Sequence, residues 1–247
     1  KMDLKVNFSG LAIHFTDDEI AAAVEAMRNA DPLAQGKYQT VFEEKFASYQ
    51  GVEQGSCFAV MNGCAALEMS AQLCNFKPGD EVVIPSHTFT ASAYPFIKHG
   101  ARLVWADIDP LARVVTAETI EKAITSKTRA VVPVDLYGYV ADMPDIVDLC
   151  RQKGLICVED AAQAIGAEID GRKAGSFADM AIFSFHSHKN LTTMGEGGMF
   201  YVADEKLRKL VPMLRHNGHC AFDFERKDYW KPAMGNVDLP MLDGTPL

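Results

Sequence analysis

From residue 57 onward, short β-rich runs alternate with amphipathic stretches, and this alternation restricts the fold more than any other feature of the chain. The runs are "CFAVMN", "EVVIPS", "RLVWADID", "RAVVPVDL", "LICVED", "MAIFSF" and "GMFYV". Between the early ones lie "CAALEMSAQLCNF", "TASAYPFIKHG" and "DMPDIVDLCRQKG", with apolar residues at helical spacing. Strand–helix–strand repetition implies parallel pairing through helical crossovers. Strands that are apolar on nearly every residue imply burial on both faces. The expected fold class is α/β: a seven-stranded, mostly parallel sheet with helices on both faces, spanning about residues 16–215.

Two helices are expected before the alternation begins. "FTDDEIAAAVEAMRNA" opens with a capping box of Thr16 and Glu19, and "QTVFEEKFASYQG" is stopped by Gly51. Residues 1–15 read as an N-terminal segment. Residues 216–247, punctuated by Pro and Gly, read as the start of a connection to a C-terminal domain that is not present.

Bulk properties exclude several function classes. A formal net charge of -9, with no Lys/Arg block, argues against nucleic acid, whose affinity comes from clustered cations. The longest apolar runs are strand-sized, short of the ~20 residues a membrane helix needs. Six scattered cysteines with no CxxC pair read as reduced thiols in the cytoplasm. "HNGHC" at 216–220 hints at a metal, but no second ligand cluster of matching spacing accompanies it.

In open α/β sheets, ligands collect at the carboxyl ends of strands. Four such places carry chemistry. In "VMNGCAALEM", Asn62-Gly63 makes a tight turn and Cys64 starts a helix, so free N–H groups there suit a phosphate; a plain βα turn reads equally well. In "LICVEDAAQAIGA", Glu159 and Asp160 end a buried strand, and Gln163 follows in an Ala-rich stretch of helical appearance. A carboxylate there can pair with a cationic ring nitrogen, or can simply cap a helix. In "FSFHSHKNLTTMGEGG", Lys189 precedes Gly195, Gly197 and Gly198, which let backbone pack closely. A lone lysine is by default a surface cation. In "PSHTFTASAYPF", Phe89 suits either a flat ring or the core. The combination decides more than any member. An amine, a carboxylate and a phosphate-ready turn after three different strands match the needs of pyridoxal 5'-phosphate (PLP).

"NGCAAL", "EVVIPSHTFTASA", "VWADID", "VPVDLYGYVADM", "VEDAAQAIGA", "FSFHSHKNLTTMGEGGM" and "LRHNG", in that order, resemble the PLP-dependent sugar aminotransferases of the DegT/StrS family. The resemblance implies fold type I, the aspartate-aminotransferase-like fold, and a homodimer. It implies that Lys189 forms the Schiff base and shuttles a proton, that Asp160 holds the pyridinium N–H, and that Gln163 bonds the phenolic oxygen. Gly63 and Cys64 would hold phosphate through main-chain N–H groups, Ser184 would add a hydroxyl, and Phe89 would stack on the ring. It further implies ping-pong transfer from glutamate to a keto or aldehyde sugar, usually nucleotide-linked, in saccharide biosynthesis.

This chain departs from the family pattern at three places. Position 64 is usually Thr or Ser. His188 has no family counterpart and is assigned no role. The family's Gly-x-Asn-x-Arg loop is matched only by Gly235-Asn236 without the arginine, so its phosphate role is not carried onto Asn236. Two alternatives accompany the aminotransferase reading. A deoxysugar dehydratase of the same fold carries histidine in place of the lysine, which Lys189 argues against. A non-catalytic PLP-binding dimer is opposed by the intact Lys189, Asp160 and Gln163.

Overall fold

The computed structural model describes residues 14–30, 32 and 34–215. The expectations for 216–247, including the "HNGHC" stretch and Gly235-Asn236, lie outside the described residues.

Helices α1 (Asp17–Asn29) and α2 (Lys37–Gln50) come first. Thr16 and Glu19 form the expected capping box at α1, and Gly51 ends α2 in the left-handed conformation at φ 68°. The seven expected strands follow as β1 (Cys57–Val60), β2 (Glu81–Pro85), β3 (Arg102–Ala106), β4 (Thr128–Val131), β5 (Ile156–Asp160), β8 (Met180–Ser184) and β9 (Gly198–Val202). A hairpin of β6 (Glu168–Ile169) and β7 (Arg172–Lys173) intervenes. The other helices are α3 (Gly63–Cys74), α4 (Tyr94–Lys98), α5 (Ala117–Ala123), α6 (Met143–Lys153), α7 (Glu205–Arg208) and α8 (Val211–Leu214).

The main sheet runs β1-β9-β8-β5-β4-β2-β3. Only β9 is antiparallel to its neighbours, so the carboxyl ends of the other six strands share one edge. Alternating side chains point to opposite faces of a strand, and the core divides accordingly. Val82 and Ile84 of β2 join the layer beneath α3 and α4, whereas Val83 joins the layer beneath α5 and α6. On β8, Met180 and Ile182 take the first layer, while Ala181 and Phe183 face α2. Phe46 of α2 meets Phe183 and Phe185 edge-on at 4.8 and 5.8 Å. Each fully buried ring contributes about 1.5–3 kcal/mol, so α2 is held by aromatic burial rather than by its modest helix propensity. Edge strand β3 leaves Trp105 53% exposed.

Two local expectations are corrected, and one element went unread. "TASAYPFIKHG" is not one helix: a 3₁₀ turn at Thr90–Ser92 gives way to the five-residue α4, because Pro95 has no N–H to continue a hydrogen-bond ladder. The stretch after Asp160 is not helical. It is a series of turns in which Ala161 N–H bonds Ile182 O across the sheet and Gly166 sits at φ 88°. The β6–β7 hairpin was legible, since Asp170-Gly171, both at positive φ, is a strong hairpin signal.

Candidate active site

A cavity of about 410 Å³ opens at the carboxyl ends of the strands. Gly63, Cys64, Phe89, Asp160, Gln163, Ser184 and Lys189 all line it. The structure therefore brings every sequence-predicted site residue to one place.

The acid end is built on β5. Asp160 is 4% exposed, and Glu159 beside it is fully buried. Strand alternation separates them: Asp160 lines the cavity, while Glu159 turns away and accepts from the N–H groups of Gly175 and Phe177 at 2.5 and 3.2 Å. Ser92 Oγ donates to Asp160 Oδ2 at 2.6 Å, and Ala162 N–H donates to Oδ1 at 3.2 Å. Thr88 Oγ1 lies 2.8 Å from Ser92 Oγ and supplies the next donor in the chain. Burial pushes the Asp160 carboxyl up, and Ser92, the Ala162 N–H and the Lys189 charge oppose that rise. Each opposing contact favours the ionised form. The Ala162 contact makes Asp160 the cap of a turn, and its second oxygen still faces the cavity through Ser92.

The amine end is a loop between β8 and β9. Lys189 follows a turn in which its N–H bonds His186 O at 2.8 Å. A bridge between His186 and Gly195 closes that loop, and Met194 turns it at φ 64°. Burial lowers the affinity of Lys189 for its proton, with Asp160 and Cys64 opposing. A half-buried amine of this kind is a better nucleophile and base than a surface lysine.

The third end is the N-terminus of α3. Asn62 Oδ1 accepts from Ala65 N–H at 2.9 Å, so capping occupies one of the first-turn donors and leaves those of Gly63 and Cys64 to the cavity side. Close packing shapes this turn. A Cβ on Gly63 would stand 3.2 Å from Ser184 Cβ, and one on Gly198 would stand 2.6 Å from the Asn62 carbonyl carbon. Burial, with the Glu196 and Asp160 charges, pushes the Cys64 thiol up, so it stays neutral. At the mouth Phe89 is 65% exposed, and His186 Nε2 stands 3.4 Å from Glu196 Oε1.

Sequence reasoning missed Ser92, Thr88, His186 and Glu196, and took Asn62 as a turn residue rather than as the cap of α3. Ser92 reaches Asp160 across 68 positions, which no local pattern discloses. Asn62 was legible, because Asn before a helix is a preferred cap. Among the described residues no group of three or more His, Cys, Asp or Glu is placed to hold a metal, and no helix is long and apolar enough to cross a membrane.

A profile of the DegT/DnrJ/EryC1/StrS aminotransferase family matches residues 15–238. The UDP-N-acetyl-3-dehydro-alpha-D-glucosamine 3-aminotransferase of Acidithiobacillus ferrooxidans is 38% identical over 217 residues, covering 88% of this chain and 57% of that protein. The GDP-perosamine synthase of Caulobacter vibrioides is 40% identical over 200 residues, covering 81% of this chain and 52% of that protein. The crystal structure of an aminotransferase from Streptoalloteichus hindustanus superposes with a TM-score of 0.77 at 33% identity, covering 81% of this chain and 54% of that one. The chain thus spans little more than half the length of these relatives. By sequence, by fold and by the order of its motifs, the chain belongs to the DegT/DnrJ/EryC1/StrS aminotransferase family.

Proposed function

We propose that this chain forms the cofactor-binding part of a PLP-dependent aminotransferase that moves an amino group from glutamate to a keto sugar, in most family members a nucleotide-linked one. The observation that carries the reading is the single cavity onto which a half-buried amine, a buried carboxylate and a helix N-terminus converge from three separate elements. The residues fit the cofactor. The glycines at 63 and 198 let the α3 N-terminus pack directly against β8 and β9, and Ser184 Oγ, which accepts from His186 N–H at 3.4 Å, keeps its own proton free to donate. PLP, when bound, supplies an electron-poor ring that draws electrons from the carbon bearing the amino group.

The chain's own residues do the rest. Lys189 Nζ, with its proton affinity reduced by burial, is the amine that would hold the cofactor and that, when free, would carry a proton to and from the reacting carbon. Asp160 would pair with the ring nitrogen and favour its protonated form. Gln163 would bond the phenolic oxygen, Phe89 would stack on the ring, and Gly63, Cys64 and Ser184 would hold the phosphate. The names of two relatives, one acting on a UDP-sugar and one making a GDP-sugar, support a nucleotide-linked acceptor. Phe89, Tyr137, Tyr139 and Met194 are each 62% or more exposed, and apolar exposure of this kind suits burial against a second copy of this chain. The cysteines suit a reducing cytoplasm.

The full-length protein is expected to be yellow, with a visible absorbance that borohydride abolishes, that glutamate shifts, and that Lys189→Ala lacks. A colourless protein that takes up no PLP contradicts the reading.

A further inference from the structure

Behind the acid end lies a second carboxyl group that the mechanism above does not use. Asp135 is fully buried, at the point where the chain leaves β4. Its main chain is tied to the site: Asp135 N–H bonds Asp160 O at 3.0 Å, and Asp160 N–H bonds Pro133 O at 2.9 Å. Its side chain closes the loop that follows, with Oδ1 accepting from Ala141 N–H at 2.9 Å. No donor among the described residues reaches its other oxygen, and the neighbouring charge is that of Glu159. Burial and the Glu159 charge together raise Asp135 far above the ordinary carboxylate range. Glu159, also raised by burial, is the better stabilised anion, because main-chain N–H groups of Gly175 and Phe177 hold it. Of the two, Asp135 is the carboxyl pushed further toward its protonated form.

The loop closed in this way has a specific product. Tyr137, forced to φ 56° between Asp135 and Ala141, points its N–H at Gln163 Oε1, 3.0 Å away. An amide oxygen engaged by a donor defines which end of the carboxamide is nitrogen. The NH₂ of Gln163, which lines the cavity, is left to donate into it.

We propose that Asp135 is a positioning residue: by closing the 136–141 loop it aims the Tyr137 N–H at Gln163 and so orients the Gln163 carboxamide as a donor toward the bound cofactor. The assignment rests on the PLP reading above. It also explains a buried acid cluster with no fully buried counter-cation among the described residues, a costly arrangement that serves here to hold a strained turn rather than to react.

The test is PLP titration of full-length apo protein, read by absorbance, with thermal melting of the same samples. Wild type must first bind PLP; failure there overturns the cofactor reading and this inference with it. Given binding, Gln163→Ala is expected to weaken PLP affinity about tenfold, the size of one lost hydrogen bond in a closed site. Asp135→Ala is expected to weaken it similarly. The double variant should be no weaker than Gln163→Ala alone, because Asp135 acts through Gln163. Asp135→Asn, which keeps an acceptor for Ala141 N–H and a donor toward Glu159, should restore affinity to within about threefold of wild type. Additive losses, or an Asp135→Ala protein that melts lower yet binds PLP as wild type does, overturn the proposal. Should Asp135→Ala not fold, Gln163→Glu carries the test. It keeps an acceptor for Tyr137 N–H but removes the donor, so it should lose at least tenfold in affinity at an unchanged melting temperature, and wild-type affinity would overturn the assigned orientation.

Discussion

The two ends of the cavity are built in opposite ways. Asp160 ends a central strand, both of its oxygens are bonded, and its N–H and C=O belong to the β4–β5 register. Lys189 sits on a loop outside the strands, held by Ser187 N–H to Gly195 O, Thr193 N–H to Phe185 O and Asn190 Nδ2 to Ile165 O, and among the described residues its Nζ has no hydrogen bond or ion pair. The difference follows the chemistry each end is asked to do. A charge that stabilises must already be in place, since electrostatic stabilisation works through preorganisation. An amine that bonds one carbon and then carries a proton from another has to travel, and it needs a long side chain on a backbone that leaves its head group unpinned.

The strongest challenge to that contrast is Asp160→Asn. It keeps the Ser92 contact and removes the charge. The turnover of the full-length enzyme should fall about 10²–10³-fold, the range for losing a preorganised electrostatic partner, while PLP still attaches to Lys189. Comparable turnover in steady-state kinetics would mean that the acid end is only a turn cap. Next in size is Gly198→Ala. Its Cβ would lie 2.6 Å from the Asn62 carbonyl carbon, and the first strand residue after the loop cannot yield without moving α3. Overpacking of this kind costs about 1–3 kcal/mol, which denaturant melts should show together with weakened binding of inorganic phosphate.

These two residues also show what was legible beforehand. The strands and their order along the chain follow from apolar runs, because burial on both faces of a parallel sheet leaves no room for polar alternation. Lys189, Asp160, Gln163 and the Asn62–Gly63 turn stand out because each follows such a run. Ser92 and Asp135 do not stand out. Ser92 meets Asp160 across the sheet edge, and Asp135 looks like one more loop acid until its burial is known. The misjudged segment after Asp160 is instructive too. Its alanines suit a helix, but the Asp160 Oδ1 contact to Ala162 N–H, the Ala161 bond to Ile182 O and the left-handed Gly166 hold it as turns, so tertiary bonds override propensity.

A smaller effect sharpens the acid end. Asp135 has a folded-state proton affinity raised above its unfolded value, so the native state holds an extra proton. The contribution of this group to stability is then greatest in acid and is lost as pH rises above the ordinary carboxylate range near 4, by at most about 1.4 kcal/mol per pH unit for one proton. Asp135→Asn removes that proton from the balance. Urea melts from pH 5 to 8 should show the variant gaining on wild type as pH rises; parallel curves would show that Asp135 is ionised in the native state. The smallest effect belongs to Cys64→Ser. The neutral thiol is a weak donor at the α3 N-terminus, and a hydroxyl is a better one. PLP titration should show a gain of a few-fold, and a loss would mean that the thiol's apolar contact outweighs its hydrogen bond.

The central assertion is that the amine at the loose end of the cavity and the carboxylate at the fixed end serve one bound ring. The most direct measurement is borohydride reduction of the PLP-loaded, full-length protein followed by peptide mass mapping, in wild type and in Asp160→Asn. The mass of the reduced cofactor should sit on the peptide containing Lys189 and on no other lysine peptide in both proteins. A label on any other lysine, or on none, contradicts the account.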